Sequence, residues 1–384
     1  MKIHKSGTLL LLLVTLLTGC WSSKDLQTMA YATTLVIDYV EDKYVIHAQF
    51  LNFSNIAKNE STQIGQEVPI WIGKSEGTTV TEAMTTFYAT SQLRVFWGHL
   101  KAIVVTENMM KRGLREVYDE MNRFHQIRFN VLIYGTNEPA TKLLSLKSLL
   151  NFSPLESLLA RPGQFYDQKS LILPVYGFKF IAQLNEAGNS TLLPSLSIRN
   201  GIWTEDTTNK GMFDIDGAYF FNDLEYTAWM PISDLLGARW LQTKLSRSPI
   251  NVPNDKPFAA LMVQNPKFVI TPLIEGDEVR YNIEVKLSSY VNELRENISE
   301  NDLKKAAEKV IEDEIRTTYN KAILKKVDVY MLSKTLYRGH PHVWKRIYNK
   351  KEFPLKKDSL NEIKVDIHIE HYGKYKDRLY EKKG

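Results

Sequence analysis

Apolar positions along the chain recur with two different periods, and stretches of each alternate. Between residues 35–38 and 43–51 the apolar residues read as strands, with Tyr44, Ile46, Ala48 and Phe50 spaced by two. Glu41-Asp42-Lys43 reads as the tight turn between them. Residues 53–70 are polar and irregular and read as a surface loop. The spacing then changes to that of a helix over 78–92, where Val80, Ala83, Met84, Phe87 and Tyr88 share one side. A buried strand follows at 101–106. A helix over 108–122 carries Met110, Leu114, Val117, Tyr118 and Met121, and a second buried strand runs over 129–134. Strand, helix and strand at this spacing predict a compact α/β unit. A further helix is expected over 138–150.

From 151 to 210 the texture changes, with Pro154, Pro162, Pro174 and Pro194 punctuating short apolar pieces and a strand-like run over 175–182. A hairpin is expected over 217–229, turning at Asn222-Asp223. Pro231 is placed to open a helix carrying Ile232, Leu235, Leu236, Trp240 and Leu241, since its missing N–H costs nothing in a first turn. Three strands are read at 257–263, 267–273 and 279–289. Ser299-Glu300-Asn301-Asp302 resembles a capping box with Asp in place of Glu. It opens the longest helix, 300–326, with an apolar stripe of Leu303, Ala307, Val310, Ile311, Ile315, Tyr319, Ala322 and Ile323. The last strand alternates Ile363, Val365, Ile367 and Ile369 with polar residues. The fold class is α+β: a multi-domain, mixed α/β chain with antiparallel-rich sheets and a long helix in its C-terminal domain. The expected divisions are a leader at 1–19, an N-terminal α/β domain at 20–150, a connecting region or small middle domain at 151–210, and a C-terminal α+β domain at 211–384.

The first residues carry a different pattern. Lys2 and Lys5 precede a short apolar run from Leu9 to Leu17, which ends in Leu17-Thr18-Gly19-Cys20. A basic start followed by a short apolar run is the mark of a signal peptide, and the run is too short for a spanning helix of about 20 apolar residues. Leu17, Thr18 and Gly19 form a lipobox. Small residues let the segment enter a peptidase cleft in extended form, and the Cys20 thiol is the nucleophile that takes a diacylglycerol. After cleavage Cys20 becomes the N-terminus and carries the lipid. Trp21 then falls at the headgroup level, where tryptophan is favoured.

Composition adds limits. Cys20 is the only cysteine, so no internal disulfide is expected and the core stands on packing. Loss of Lys2 and Lys5 with the leader lowers the formal charge from +5 to +3. That mild excess suits an anionic membrane surface. It does not point to nucleic acid, which wants a concentrated basic stripe.

Catalytic and cofactor motifs are absent. No Gly-x-Ser-x-Gly, P-loop or dinucleotide fingerprint occurs. His340-Pro341-His342 and His368-Ile369-Glu370-His371 are the only local histidine clusters, and neither has the spacing of a helical zinc site. On a strand His368 and His371 point to opposite faces. His99 reads as a structural histidine before a buried strand. Glu312-Asp313-Glu314 and Asp119-Glu120 read as solvated helix faces. No catalytic residue, metal or cofactor is assigned beyond the covalent lipid on Cys20. Most tryptophans are expected in cores; several exposed together would mark a partner surface.

The residues in order resemble the Ger(x)C family of spore germination lipoproteins, the C subunits of nutrient germinant receptors. The likeness begins at Gly19-Cys20-Trp21, Asp25-Leu26 and Leu35-Val36-Ile37-Asp38, and continues through Gly98-His99-Leu100-Lys101 and Arg123 to Tyr134. It extends through Asp216-Gly217-Ala218-Tyr219-Phe220-Phe221, the long helix from Leu303, Trp344 and the final strand. Ser22 stands where the family usually has an acidic residue. The resemblance implies a chain held on the outer face of the spore inner membrane, two integral-membrane partners (the receptor A and B subunits) and no enzymatic activity. The alternative is the solute-binding lipoprotein of a membrane transporter, which would need two similar α/β lobes around a cleft. A lipid-anchored envelope enzyme is a third possibility.

Overall fold

The computed structural model describes residues 28–51, 69–188, 190–222, 224–253, 255–296, 298–348 and 353–370. The leader, Cys20 with its lipobox and nearly all of the 53–70 loop lie outside these residues.

In chain order the first part contains β1 (Met29–Val40), β2 (Lys43–Leu51), β3 (Trp71–Gly77), α1 (Val80–Thr86), β4 (Arg94–Phe96) and β5 (Ala102–Thr106). It continues with α2 (Glu107–Arg112), α3 (Arg115–Arg123), β6 (Leu132–Thr136), α4 (Ala140–Leu144), α5 (Pro162–Gln168) and α6 (Gly177–Leu184). The next strands are β7 (Ser190–Glu205), β8 (Thr208–Asn222) and β9 (Glu225–Pro231). These nine strands form one sheet in the order β3-β2-β1-β5-β6-β7-β8-β9, with β4 also pairing with β1. Both flanks are antiparallel, whereas β1, β5, β6 and β7 are parallel. The β1–β2 hairpin closes through Glu41 and Asp42, both left-handed (φ 49° and 59°), which matches the right-handed twist of the strands. The centre of β1 is buried on both faces. Leu35 and Ile37 pack with Met84, Met110, Val117 and Phe180 of the helices, while Val36 packs oppositely with Val104, Tyr134, Leu144 and Leu158.

The second part contains β10 (Ser248–Val252), β11 (Ala259–Glu275), β12 (Glu278–Leu294), α7 (Glu300–Leu324), α8 (Leu332–Gly339), α9 (Pro341–Tyr348) and β13 (Leu360–Glu370). Its sheet order is β10-β11-β12-β13, antiparallel except for the last pair. The predicted α+β class, with two mainly antiparallel sheets and a 25-residue C-terminal helix, is what the structure has. Ser299 caps α7 by accepting from the Asp302 N–H at 3.1 Å. The Asp302 carboxylate accepts a hydrogen bond from the Ser299 hydroxyl at 2.7 Å rather than from its backbone N–H, so the reciprocal half of the expected box is replaced.

Several local expectations are corrected. The strand-like run 175–182 is α6, which buries Phe180 and Leu184 one turn apart; a short apolar run fits either period. The helix at 138–150 stops at Leu144, and Leu150 and Asn151 are left-handed. The helix at 108–122 is broken by Gly113, at φ 116°. The helix after Pro231 is two 3-10 turns, Ile232–Asp234 and Leu236–Leu241. Strands 257–263 and 267–273 are one strand whose register shifts between Gln264 and Lys267; the irregularity accommodates Pro266.

The two sheets meet at α7. Ile172, Ala218, Phe220, Met230 and Leu235 from the first part pack with Ala322 and Val327. At the middle of α7 the turn carrying Gly237 approaches so closely that a Cβ there would lie 2.3 Å from the Glu314 carbonyl oxygen. The Gly237 N–H donates to Thr318 Oγ1 at 3.0 Å. This approach brings Arg239 and Trp240 to the Glu314 carboxylate. Arg239 Nη2 donates to both oxygens at 2.9 and 2.8 Å, and Trp240 Nε1 donates to Oε2 at 2.7 Å. The guanidinium lies 4.3 Å from the Trp240 ring centroid. Both charged side chains are nearly fully buried (6% and 7% exposed). Burial pushes the Arg239 pKa down and the Glu314 charge opposes it. Glu314 thus departs from the solvated face expected of Glu312-Asp313-Glu314.

Arg239 Nε has no partner in this site, so the pair is not fully satisfied. Removing one charge strands the other, at a cost of about 3–5 kcal/mol, whereas replacing both with apolar residues is close to neutral. Glu314→Ala is therefore expected to lower unfolding free energy in urea by about that amount, and Arg239→Met with Glu314→Leu to recover most of it. Equal losses in the single and double variants would show that the pair is not the source.

Candidate functional site

Among the described residues, those singled out in the sequence do not converge. Cys20, Leu17, Thr18, Gly19 and Trp21 lie outside the described residues, as does His371. His340 and His342 are exposed at the junction of α8 and α9, and His368 is exposed on β13 opposite Ser288. Among the described residues no group of three or more His, Cys, Asp or Glu could hold a metal ion. His99 sits edge-on to Tyr31 (5.0 Å between centroids) and Phe96 (5.7 Å). Burial, then the charges of Lys101 and Arg128, push its pKa below the usual 6.5. His47 on β2 is lowered by burial and by Lys74. Trp97 and Trp240 are in cores, but Trp71 and Trp203 are exposed.

An apolar concavity is built by two elements whose meeting the sequence did not show. The β7–β8 hairpin extends past the sheet, so Trp203 and Lys210 or Thr204 and Asn209 pair only with each other. Facing it is the segment 147–168, which follows α4 and ends in α5. Between them is a groove of about 730 Å³ lined by Leu149, Phe152, Phe165, Ile202, Trp203 and Phe213. An adjoining concavity of about 360 Å³ shares Leu158, Phe165, Ile202 and Phe213 and reaches Ile232. Phe152, Ile202 and Trp203 are exposed. An apolar opening of this kind can receive side chains of a partner or an apolar ligand.

Several of its polar groups are engaged in the fold. Arg199 pairs with Asp214 across the hairpin. The Ser157 hydroxyl donates to the Pro154 carbonyl at 2.6 Å, and Tyr134 donates to the Leu158 carbonyl at 3.1 Å. Burial pushes the Tyr134 phenol upward, and the Tyr166 phenol to about 12, so both stay neutral. No histidine lines the groove. The only sequence sign of this site is Trp203; the apolar residues at 149–152 look like core in one dimension.

Comparison with known proteins matches residues 22–198 to the model of the spore germination protein N-terminal domain. Residues 216–373 match the spore germination B3/GerAC-like C-terminal model. The interval between the two models falls on the β7–β8 hairpin tip. Spore germination protein KC of Bacillus subtilis (strain 168) is 22% identical over 95% of this chain and 94% of its own. Spore germination protein B3 of the same organism is 20% identical over 90% of this chain and 92% of its own. The crystal structure of the GerBC protein superposes with a TM-score of 0.52 at 17% identity, covering 88% of this chain and 97% of that one.

The lowered pKa values of His47 and His99 carry a pH dependence. Their neutral forms contribute stability that is present above the unfolded value of about 6.5 and lost as pH falls through the lower folded values. Urea midpoints are expected to decline from pH 7.5 to pH 5, and the His47→Gln, His99→Gln double variant to show a shallower decline. An unchanged slope in the variant would contradict this.

Proposed function

The chain belongs to the spore germination family of germinant-receptor C subunits, and from that membership we propose that it is a lipid-anchored, non-enzymatic subunit of a nutrient germinant receptor. The observation that carries the reading is the match of both family domains, in order, across 22–198 and 216–373. The first match begins two residues after Cys20, where the lipobox puts the mature N-terminus. The leader delivers the chain to the outer face of the spore inner membrane, and the Cys20 sulfur holds a diacylglycerol through a thioether. Two acyl chains give stable residence where one gives only marginal binding. The folded part then stands beside the integral-membrane A and B subunits and supports their response to a nutrient. No helix among the described residues is long and apolar enough to cross a membrane, so the lipid is the attachment this reading relies on.

A transporter's solute-binding lipoprotein is disfavoured. It needs two like lobes, whereas a nine-stranded mixed sheet and a four-stranded sheet under one long helix are unlike.

Cys20→Ala tests the anchor and the role together. The variant is expected to be lost from the spore inner-membrane fraction and to abolish the response to the cognate nutrient, with an unchanged circular dichroism spectrum. A folded variant absent from the membrane that still supports germination would sink the proposal.

A further inference from the structure

The first sheet has two ends of opposite character. Strands β1, β4, β5 and β6 are parallel and begin at one end. Strand β3 begins there too, because Ala32 of β1 pairs with Phe50 and Phe50 pairs with Trp71. The N-terminus of α6 is held at the same end by the Gly177 N–H, which donates to the Val131 carbonyl at 2.8 Å.

This end exposes large apolar side chains side by side with cations. Trp71 is 75% exposed and Phe129 70% exposed; Leu93, Tyr176 and Phe178 are also open to solvent. Arg94, Arg128 and Lys179 stand among them, all exposed. Lys179 Nζ lies 5.9 and 5.8 Å from the Tyr176 and Phe178 ring centroids. Three of the segments that build this end, 87–103, 122–135 and 169–185, contain no Asp or Glu. Among the described residues no carboxylate pairs with Arg94, Arg128 or Lys179. Burial first, and then the charges of Lys101 and Arg128, push the His99 pKa down. Carboxylates collect at the opposite end instead: Asp38, Glu41 and Asp42 where β1 finishes, Glu76 at the finish of β3, and Glu107 after β5.

We propose that this aromatic and cationic end of the first sheet lies against an anionic lipid surface. Aromatic rings are favoured at the headgroup level, and arginine and lysine beside them are drawn to anionic lipid. A protein partner alone would not call for the exclusion of every carboxylate from three separate segments. The tether agrees, and this part rests on the anchor reading above. Met29 begins β1 at this end, nine residues after Cys20, a reach of about 30 Å when extended at about 3.3–3.6 Å per residue. The acidic end of the sheet then faces away from the membrane, and the surface is oriented rather than merely attached.

A spin label tests this in the full lipidated chain. A thioether at Cys20 leaves no other thiol, so Phe129→Cys and Val269→Cys each give one label; Val269 is exposed on β11 of the second sheet. The chain is incorporated in vesicles of phosphatidylcholine with phosphatidylglycerol, and in phosphatidylcholine alone. In the anionic vesicles the label at 129 is expected to be severalfold more accessible to oxygen, relative to an aqueous nickel relaxant, than the label at 269. That contrast is expected to shrink without phosphatidylglycerol, and to shrink likewise with Arg94→Glu and Arg128→Glu. Equal access at 129 and 269 in anionic vesicles would overturn the proposal, as would a contrast that appears only when other membrane proteins are added. Intact mass of the same preparation reads the lipid on Cys20 separately. A mass without lipid would sink the anchor, and the orientation is then read by binding of the unlipidated chain to the two vesicle types: preference for the anionic ones supports it, and no preference overturns it.

Discussion

A carboxylate buried on a helix must find a cation and further donors, and the fold is organised around how Glu314 does so. The residue sits on the stripe of α7 that faces inward, where an apolar side chain would otherwise be expected. Its partners come from a turn immediately after the last strand of the first sheet, and only a glycine at 237 lets that turn come close enough. Arg239 and Trp240 then close over the carboxylate from one side. The consequence is positional: α7, which covers the second sheet, is held against the chain that leaves the first. The apolar seam of Phe220, Met230, Leu235, Ala322 and Val327 lies along the same helix, and Glu186 adds pairs to Lys334 and Arg338 across it.

This arrangement bears on function through what it leaves on the surface. Two buried carboxylates are engaged in structure: Glu314 and Asp328 bind a guanidinium, an indole and backbone N–H groups. What remains outward is a hairpin-walled apolar groove and a sheet with one aromatic, cationic end. Surfaces of this type serve association. The proposed lipid at the N-terminus, the proposed membrane subunits and the proposed lipid surface beneath one end of the sheet agree with one another in describing a subunit whose task is placement.

Much of the fold was legible in one dimension, because long elements with a single buried face advertise their period. The 300–326 helix and the β12 alternation of Val279, Tyr281, Ile283, Val285 and Leu287 are of this kind. Short elements buried on two sides are not, and so α6 read as a strand. Strand β7 was missed because Pro194 argues against a strand, yet it pairs there with Ala218. Glu314 was hidden by its acidic neighbours, although it lies seven residues after Ala307 and three after Ile311, on the apolar stripe itself. The groove depends on the extension of a hairpin past its sheet, which no local pattern encodes. The cationic end was present in the sequence as three carboxylate-free segments, but their meeting depends on strand order.

The most direct measurement of the central claim is recovery of the tagged chain, with whatever holds to it, from detergent-solubilised spore inner membrane. A receptor subunit brings down two polytopic membrane proteins, one of them transporter-like, in constant ratio to itself. Recovery of a transporter permease and its ATPase, or of the chain alone under conditions that keep membrane complexes intact, would contradict the account.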